Sequence, residues 1–510
     1  MKTIRQLFTL GLSLITIQMF AQLENSNLKC GVGLDEGGLI KERMLENRRL
    51  IPQTQIDAFI SNRAIKYIPV KYTLVSNSAT TGYVDIDNVL SMHCDLNNDY
   101  ATQEIKFYLR DVTNSFRYST NTNVYNNGAS STSQTWMRSN KVSNCVNIYL
   151  SASINNQVAS YYTGFGDFIF VLNQMANGTS STGSHEVGHF FSLPHTFYGW
   201  EGTTFTGGQA PTTVNGRPVE RVARTTGANC TTAGDGFCDT QADYFSDRVP
   251  CPYSGSGTDP QGVQINPEES FIMSYYYDAC VDSFSTQQKS AVAADIISRN
   301  WTGFAAPAIT GTPSASTITA TTPTPGTSIP LNGNITLTWA ADPNATGYIL
   351  WVERTLFGAP IETTLKTVVY GTNTYSLPST LLSYPRQYNW KVRPFNQLNT
   401  CSVYSPSFGF TVTAPATAVD AEFKDLAELK ILSNPVQSNT ADLIITVPQT
   451  LSAQIQVYGM DGRQIISTAT ELSQGDNLQL LDLTHVSEGN YIVVVQTAEG
   501  SLQQKMTVIK

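Results

Sequence analysis

Three of the five histidines in this chain of 510 residues lie within one short window, and this window constrains the local fold more than any other feature. On a helix, His185 and His189 are one turn apart and point the same way, so their imidazoles can take adjacent corners of a tetrahedron. Pro194 requires the helix to end before His195. The chain must therefore turn sharply near Ser192 if His195 is to join the other two.

Glu186 lies beside this pair on the same helix, slightly rotated from it. It can reach a metal-bound water without itself being a ligand, which is the position that a general base needs. Zn²⁺ held by three neutral imidazoles keeps an open fourth position and lowers the pKa of bound water towards about 7. The pattern predicts hydrolysis of peptide bonds by this water, with Glu186 as general base and no covalent acyl-enzyme.

Composition excludes several other classes of protein. Lys and Arg number 31 against 40 Asp and Glu, which gives a net charge of -9, and charged residues make up only 14% of the chain. Because basic residues form no block or stripe, no nucleic-acid partner is expected. The low charge also argues against a disordered chain that is kept in solution by its charges.

The N-terminus has the pattern of a cleaved secretory signal peptide over residues 1–21. Lys2 and Arg5 precede an apolar stretch from Leu7 to Phe20, which ends at the small residue Ala21. No later apolar run is long enough for a transmembrane segment. We therefore expect an exported protein, in which disulfides are permitted among the eight cysteines.

Changes in composition divide the rest of the chain into domains. The polar segment 22–62, with a short helix near Lys41 to Arg49, has the character of a propeptide, and strand and helix signals alternate from Ile65 to Trp301, as in an α/β or α+β domain. Short alternating strands then predict two all-β sandwiches. The predicted divisions are a catalytic domain over 63–303, a first sandwich over 304–415, a linker over 416–428 and a second sandwich over 429–510.

The histidine window resembles the metzincin pattern, except that Ser192 stands where the pattern has glycine. A glycine there allows a turn with positive φ, so serine should cost on the order of 1 kcal/mol on the same backbone. Two later motifs extend the resemblance to the pappalysin family of metzincins, in its ulilysin-like bacterial branch. They are Gly234-Asp-Gly-Phe-Cys-Asp-Thr and Ile272-Met-Ser-Tyr-Tyr-Tyr-Asp-Ala-Cys.

The resemblance implies roles for several residues beyond the helix. Met273 would form the Met-turn, an apolar floor beneath the zinc, and Tyr275 would stabilise the oxyanion. Calcium is implied at Asp235, Asp239 and Thr240, with a solvated loop as the alternative. For the cysteines of this region, we prefer the disulfides Cys230–Cys251 and Cys238–Cys280, although four cysteines allow three connectivities, and Cys94–Cys145 is a further candidate.

Cys30, followed by Gly31, has a separate possible role. In the family, a propeptide Cys-Gly can occupy the open zinc position as a cysteine switch, because a thiolate is a good zinc ligand. Cutting near Arg48, Arg49 or Arg63 would then end latency. A spare thiol, or a disulfide to Cys401, is the alternative.

The two C-terminal sandwiches carry resemblances of their own. Trp339 and the run Tyr388-Asn-Trp-Lys-Val resemble a fibronectin type III module. Residues 429–510 resemble the C-terminal sorting domain of the type IX secretion system, through Ser433-Asn-Pro-Val, Glu488-Gly-Asn-Tyr-Ile-Val-Val-Val and Lys505-Met-Thr-Val-Ile-Lys. That domain implies a partner in the secretion machinery and export through the outer membrane, to the cell surface or the medium.

The sequence therefore favours a secreted zinc endopeptidase that acts on proteins or peptides. The alternative is a surface adhesin or binding protein with an inactive metzincin domain, which Ser192 and the two sandwiches suggest. Retention of Glu186 favours the enzyme. Asp278 and Asp282, near the Met-turn, could make the S1′ wall acidic and favour a basic substrate side chain, but both could equally be solvated.

Overall fold

The structure is a computed structural model that describes residues 28–62, 64–78, 81–154, 158–301, 306–356, 358–414 and 423–509. The chain forms two compact units. Unit 1 comprises Met1–Thr312 and Asn396–Cys401, and unit 2 comprises Pro313–Phe395 and Ser402–Lys510. The predicted signal peptide and most of the predicted linker lie outside the described residues.

A seven-stranded sheet forms the centre of unit 1. Its strands are β1 (Lys29–Cys30), β2 (Lys66–Val75), β3 (Ile105–Leu109), β4 (Phe116–Ser119), β5 (Val146–Ser151), β6 (Val158–Thr163) and β7 (Phe168–Leu172). They lie in the order β1-β6-β7-β5-β2-β3, and β4 also pairs with β2. Only the β6–β7 pairing is antiparallel among these described strands. This mixed sheet, with its helices, confirms the predicted α/β class.

The central strand β2 explains why the sequence signal was clear. Eight consecutive residues, from Ile68 to Val75, are buried, as expected for a strand covered on both faces of a largely parallel sheet. Strands β5 and β7 are buried throughout as well. Continuous burial of this kind is typical of a parallel sheet that is covered on both faces.

The helices and a small hairpin complete unit 1. The helices are α1 (Leu34–Leu50), α2 (Gln53–Ser61), α3 (Ile86–Asp99), α4 (Thr122–Asn126), α5 (Ser131–Ser139), α6 (Thr182–Phe190) and α7 (Thr286–Arg299), and the hairpin pairs β8 (Thr213–Val214) with β9 (Arg217–Pro218). Helix α3 begins at the N-cap Asp85, and its second half is rich in Asn and Asp. Within the described part of the chain, no helix is long and apolar enough to cross a membrane.

Helices α1 and α2, which lie in the predicted propeptide, pack against α7. Arg43 and Asn47 each donate a hydrogen bond of 2.9 Å to the carboxylate of Asp295, whose side chain is fully buried. Ile56 on α2 packs against Ala293 and Ala294 of α7. The polar residues of this segment thus form charged contacts with α7 of the same unit rather than a core of their own.

The disulfides differ from all three predicted pairs. The structure joins Cys230 to Cys238, Cys251 to Cys280 and Cys94 to Cys401, and leaves Cys30 and Cys145 free. The predictions of Cys230–Cys251, Cys238–Cys280 and Cys94–Cys145 are therefore wrong. Cys401 lies in the short segment that belongs to unit 1, 307 residues after its partner, so no local pattern could have paired the two.

Unit 2 contains two β-sandwiches. The first has strands β10 (Ala320–Thr322), β11 (Thr327–Pro330), β12 (Ile335–Trp339), β13 (Gly347–Leu356), β14 (Ala359–Tyr370), β15 (Thr374–Leu377), β16 (Arg386–Phe395) and β17 (Phe408–Thr413). They form sheets β10-β12-β15 and β11-β17-β16-β13-β14. Trp339 and Trp390 lie in the shared core, with ring centroids 6.1 Å apart.

The second sandwich follows the short helix α8 (Phe423–Leu426). Its strands are β18 (Glu428–Ile431), β19 (Thr440–Val447), β20 (Leu451–Gly459), β21 (Gln464–Leu472), β22 (Gly475–Asp482), β23 (Gly489–Thr497) and β24 (Ser501–Val508). They form sheets β18-β19-β22 and β21-β20-β23-β24 over one apolar core. The prediction of two all-β sandwiches is confirmed.

Candidate metal centre

Helix α6 and the turn after it bring the three histidines together. The ring centroids of His185 and His189 are 4.8 Å apart, and all three histidines are buried. The helix ends at Phe190, Ser192 then adopts φ 61°, and Leu193 donates its N–H to the carbonyl of Gly188 at 2.9 Å. This tight turn places His195 Nε2 at 3.2 Å from His189 Nε2.

The outer nitrogen of each ring is held by an acceptor. Nδ1 of His185 lies 2.7 Å from the carbonyl oxygen of Ile272, and Nδ1 of His189 lies 2.7 Å from that of Leu193. Nδ1 of His195 lies 3.2 Å from Glu201 Oε1. Because these oxygens can only accept, each Nδ1 carries the proton and each Nε2 presents a lone pair.

Three lone pairs thus converge in a buried space. His185 Nε2 is buried and has no hydrogen-bond partner among the described residues. Burial and the neighbouring His195 also lower the pKa of His185 to about 3, so the ring is neutral, as a metal ligand must be. Neutral imidazoles whose outer N–H groups are fixed are the usual surroundings of zinc, so the donor set fits this metal.

Cys30 adds a fourth donor. Its Sγ lies 3.5 Å from His189 Nε2, and the four donor atoms all lie within 4.8 Å of one another. Strand β1 brings Cys30 there by pairing in parallel with β6, and Gly31 donates its N–H to Ser160 O at 2.7 Å. A Cβ on Gly31 would meet Val158 Cγ1 at 2.7 Å, so the glycine permits this close approach.

Glu186 is fully buried beside the histidines. Ser160 Oγ donates a hydrogen bond to its Oε1 at 2.5 Å, while Oε2 finds no partner in the described part of the chain. Burial raises the pKa of Glu186 to about 7, although the Ser160 hydrogen bond acts in the opposite direction. Burial also raises the pKa of the Cys30 thiol, and the charge of Glu186 adds to this rise.

Met273 lies against the middle of helix α6. A Cβ on Gly188 would come within 2.3 Å of its Sδ, so only glycine fits at this position, directly before His189. Met273 is fully buried, and its carbonyl accepts the N–H of Thr196 at 3.1 Å. Met273 therefore packs against the helix that carries His185 and His189, and its role as an apolar floor stays a prediction.

Tyr275 reaches the same space from the chain segment that follows Met273. Its ring centroid lies 5.1 Å from that of His195 and 5.8 Å from that of His185. Its hydroxyl donates to the carbonyl oxygen of Cys30 at 3.0 Å. The acceptor is therefore a peptide carbonyl that lies beside the candidate metal ligands.

The three predicted calcium ligands are only partly brought together. Thr240 Oγ1 donates to Asp235 Oδ1 at 3.1 Å, whereas Asp239 accepts from Ser285 Oγ and Gln287 N, both at 2.8 Å, at the start of α7. Glu220, which sequence reasoning missed, lies next to Asp235. Within the described ranges, Glu220 Oε2 and Asp235 Oδ2 are buried without partners.

Other supporting residues were also missed. Ser160 contacts the general-base candidate, and Glu201 contacts His195. Asp243 accepts from Thr196 Oγ1 at 2.6 Å and from Ser274 Oγ at 2.7 Å, so it connects the histidine turn to the Met273 segment. Except for the contact between His195 and Glu201, these contacts join segments that are far apart in the sequence, so no local motif predicts them.

The turn at Ser192 allows a first test of the structure. We expect Ser192→Gly to raise the free energy of unfolding by about 1 kcal/mol, because glycine adopts positive φ without a Cβ penalty. The buried Ser192 Oγ also has no partner among the described residues, so its removal costs no hydrogen bond. Denaturant unfolding of the full chain measures this change, and Ser192→Ala, which keeps the Cβ, is the control. A destabilised glycine variant would contradict the assignment of this turn.

Comparison with known protein families identifies the C-terminal region. Residues 430–510 match the secretion system C-terminal sorting domain. This match confirms the predicted sorting domain, and with it export through the outer membrane, to the cell surface or the medium. No curated protein sequence matches the chain.

Solved structures resemble other parts of the chain at low identity. Mature mirolysin of Tannerella forsythia in complex with a cleaved peptide is 17% identical, and the match covers 47% of this chain and 99% of that one at a TM-score of 0.31. A promirolysin mutant from the same organism is 17% identical, with 54% and 95% covered at a TM-score of 0.33. Fibronectin(III)-like modules of Clostridium thermocellum CbhA are 13% identical, with 38% and 93% covered at a TM-score of 0.15.

Proposed function

We propose that the protein is a secreted zinc endopeptidase, synthesised in a latent form. The observation that carries this proposal is the convergence of three imidazole Nε2 atoms and one thiol within 4.8 Å, next to a buried carboxylate. His185, His189 and His195 would hold the zinc. When bound there, zinc would activate a water molecule and polarise the peptide carbonyl.

Glu186 is our candidate for the general base. Its Oε1 is fixed by Ser160, which leaves Oε2 as the oxygen able to take up and release a proton. A pKa raised to about 7 by burial suits a group that must both accept a proton and return it. The proton would go from the attacking water to Oε2, and from there to the leaving amine.

Tyr275 is our candidate for stabilising the oxyanion. Its hydroxyl already donates to a peptide carbonyl, that of Cys30, at 3.0 Å. In the active form, we expect the same hydroxyl to donate to the carbonyl of the scissile peptide bond. A donor fixed in this way stabilises the negative charge that develops on the oxygen.

We propose that residues 28–61 keep the protein latent. Cys30 would complete the zinc coordination, and β1 covers the outer edge of β6, where an extended peptide would otherwise add a strand. Arg43 and Asn47 hold α1 to Asp295. Cleavage after α1 or α2 would release this segment, together with its thiol and its strand.

We also propose that calcium binds at Asp235, Thr240 and Glu220, while Asp239 caps α7. The orphan carboxylate oxygens Asp235 Oδ2 and Glu220 Oε2 are hard ligands of the kind that calcium prefers. In the latent form Lys41 Nζ donates to Gly234 O at 2.6 Å and its charge acts on both carboxylates. Calcium should therefore bind more weakly before residues 28–61 are removed.

Calorimetry tests this proposal. We expect calcium to raise the melting temperature of the activated protein more than that of the full chain, because Lys41 no longer competes. Asp235→Asn should abolish the calcium-dependent rise, and Asp282→Asn, at an exposed position, should leave it unchanged. An equal calcium effect before and after activation would contradict the competition by Lys41.

The sorting domain and the candidate metal centre each imply a partner. The sorting domain would engage the type IX secretion machinery, and the metal centre would act on proteins or peptides outside the cell. The test is whether the activated protein hydrolyses casein and loses that activity when a chelator removes zinc. Activity that persists after chelation of zinc would contradict the proposal.

A further inference from the structure

We propose that Arg248 selects an acidic substrate side chain next to the scissile bond. This inference rests on the proposed peptidase function and names its substrate class. It concerns a cavity beside the candidate metal centre, here called the side pocket, whose lining includes Ser181, Thr182, His185, Arg248, Ser274 and Tyr275.

The side pocket is placed to receive a substrate side chain. It lies between the start of α6 and the segment that follows Met273, and it contains the metal-ligand candidate His185 and the oxyanion candidate Tyr275. In the latent form, Leu28, Lys29 and Cys30 also line it. Once this strand is removed, a substrate strand along β6 would place its own side chains there.

Asp278, the residue that could have attracted a basic side chain, is already fully engaged. Its Oδ1 accepts from Ser181 N at 3.0 Å and from Ser181 Oγ at 2.7 Å. Its Oδ2 accepts from Arg248 Nη2 at 2.8 Å. The pair leaves no net negative charge to attract a lysine or arginine of the substrate.

Arg248 is held firmly in place. Val249, the next residue, donates its N–H to Tyr275 O at 3.0 Å and accepts from Tyr277 N at 3.0 Å. The disulfide Cys251–Cys280 joins the same two segments. The guanidinium is therefore a fixed part of the side pocket's wall rather than a mobile surface group.

Arg248 nevertheless keeps a donor that Asp278 does not use. The Arg248 side chain is 13% exposed, and its Nε is a buried donor with no partner among the residues that the structure describes. No Asp or Glu is among the described residues that line the pocket. Lys29, on the latent strand, pairs with Asp247 instead. A carboxylate that enters could accept from Arg248 Nε and from the hydroxyl of Thr182, because the hydroxyl of Ser181 already donates to Asp278.

A peptide library tests the inference on the full chain after activation. We expect cleavage sites to be enriched about ten- to a hundredfold in Asp or Glu at one position beside the scissile bond, the range for hydrogen bonds to a charged group. Arg248→Met should lose this preference and favour Lys or Arg, because Asp278 then lacks its partner. Arg138→Met, on α5, is the matched control and should keep the wild-type preference.

A double variant shows whether an effect of Arg248→Met comes only from leaving Asp278 without its partner. Arg248→Met with Asp278→Asn removes both charges, and we expect no preference for either sign. An unchanged acidic preference in the double variant, or a basic preference in the wild type, would overturn the role of Arg248. If the activated wild type cleaves no peptide at all, the proposed function fails, and the inference fails with it.

Discussion

Glu186→Gln is expected to lower kcat/KM for peptide hydrolysis by about 10²–10⁴-fold, the usual contribution of general acid–base catalysis. The amide cannot take up the proton of the attacking water, but its oxygen can still accept from Ser160 Oγ, which lies 2.5 Å from Glu186 Oε1. The three histidines are untouched, so zinc content should stay at one per chain. Kinetics on casein and elemental analysis of the same preparation measure both quantities.

Glu104→Gln is the matched control for this prediction. Glu104 is partly exposed and directly precedes β3, so the change should leave both activity and metal content as in the wild type. A Glu186→Gln variant with full activity would contradict the assignment of the base. Loss of zinc together with activity would mean that Glu186 supports the metal site rather than the proton transfer.

Cys30→Ser should release the latent form from inhibition and raise the activity of the full chain about tenfold or more, because a tethered ligand acts at a high effective concentration. The thiol lies 3.5 Å from His189 Nε2, and a serine hydroxyl is a much poorer zinc ligand than a thiolate. Activity of the unprocessed chain, measured with cleavage of the propeptide blocked or monitored, checks this result.

Cys145→Ser is the control, since Cys145 is the other free cysteine and is buried at the edge of β5. Treatment of the wild type with a thiol-modifying mercurial should reproduce the effect of Cys30→Ser. A Cys30→Ser chain as inactive as the wild type, with no response to mercurial in activity or self-cleavage, would exclude the switch.

Much of the candidate metal centre could be predicted because its geometry is local. The spacing of His185 and His189 follows from the helix repeat, and Pro194 requires the turn that brings His195 back. The turn with positive φ could also be predicted, because Ser192 stands where the metzincin pattern has glycine, and Ser192 does adopt φ 61°. The α/β unit and the two sandwiches were predictable for the same reason, because strand and helix periodicities are local signals.

The supporting residues could not be predicted because they depend on tertiary contacts. Asp239 has the sequence context of a calcium ligand, yet its carboxylate binds the start of α7, 46 residues from its partner Ser285. Arg248 neutralises Asp278 from 30 residues away. Likewise, the pairing of Cys94 with Cys401 depends on how distant parts of unit 1 fold together.

The most direct test of the central claim is a zinc titration of the activated protein after metal removal. Casein hydrolysis should be absent in the metal-free protein and should rise linearly with added zinc up to one equivalent per chain. The His189→Ala variant should neither bind that equivalent tightly nor regain activity. Full activity without metal, or a wild-type response from His189→Ala, would contradict the zinc endopeptidase assignment.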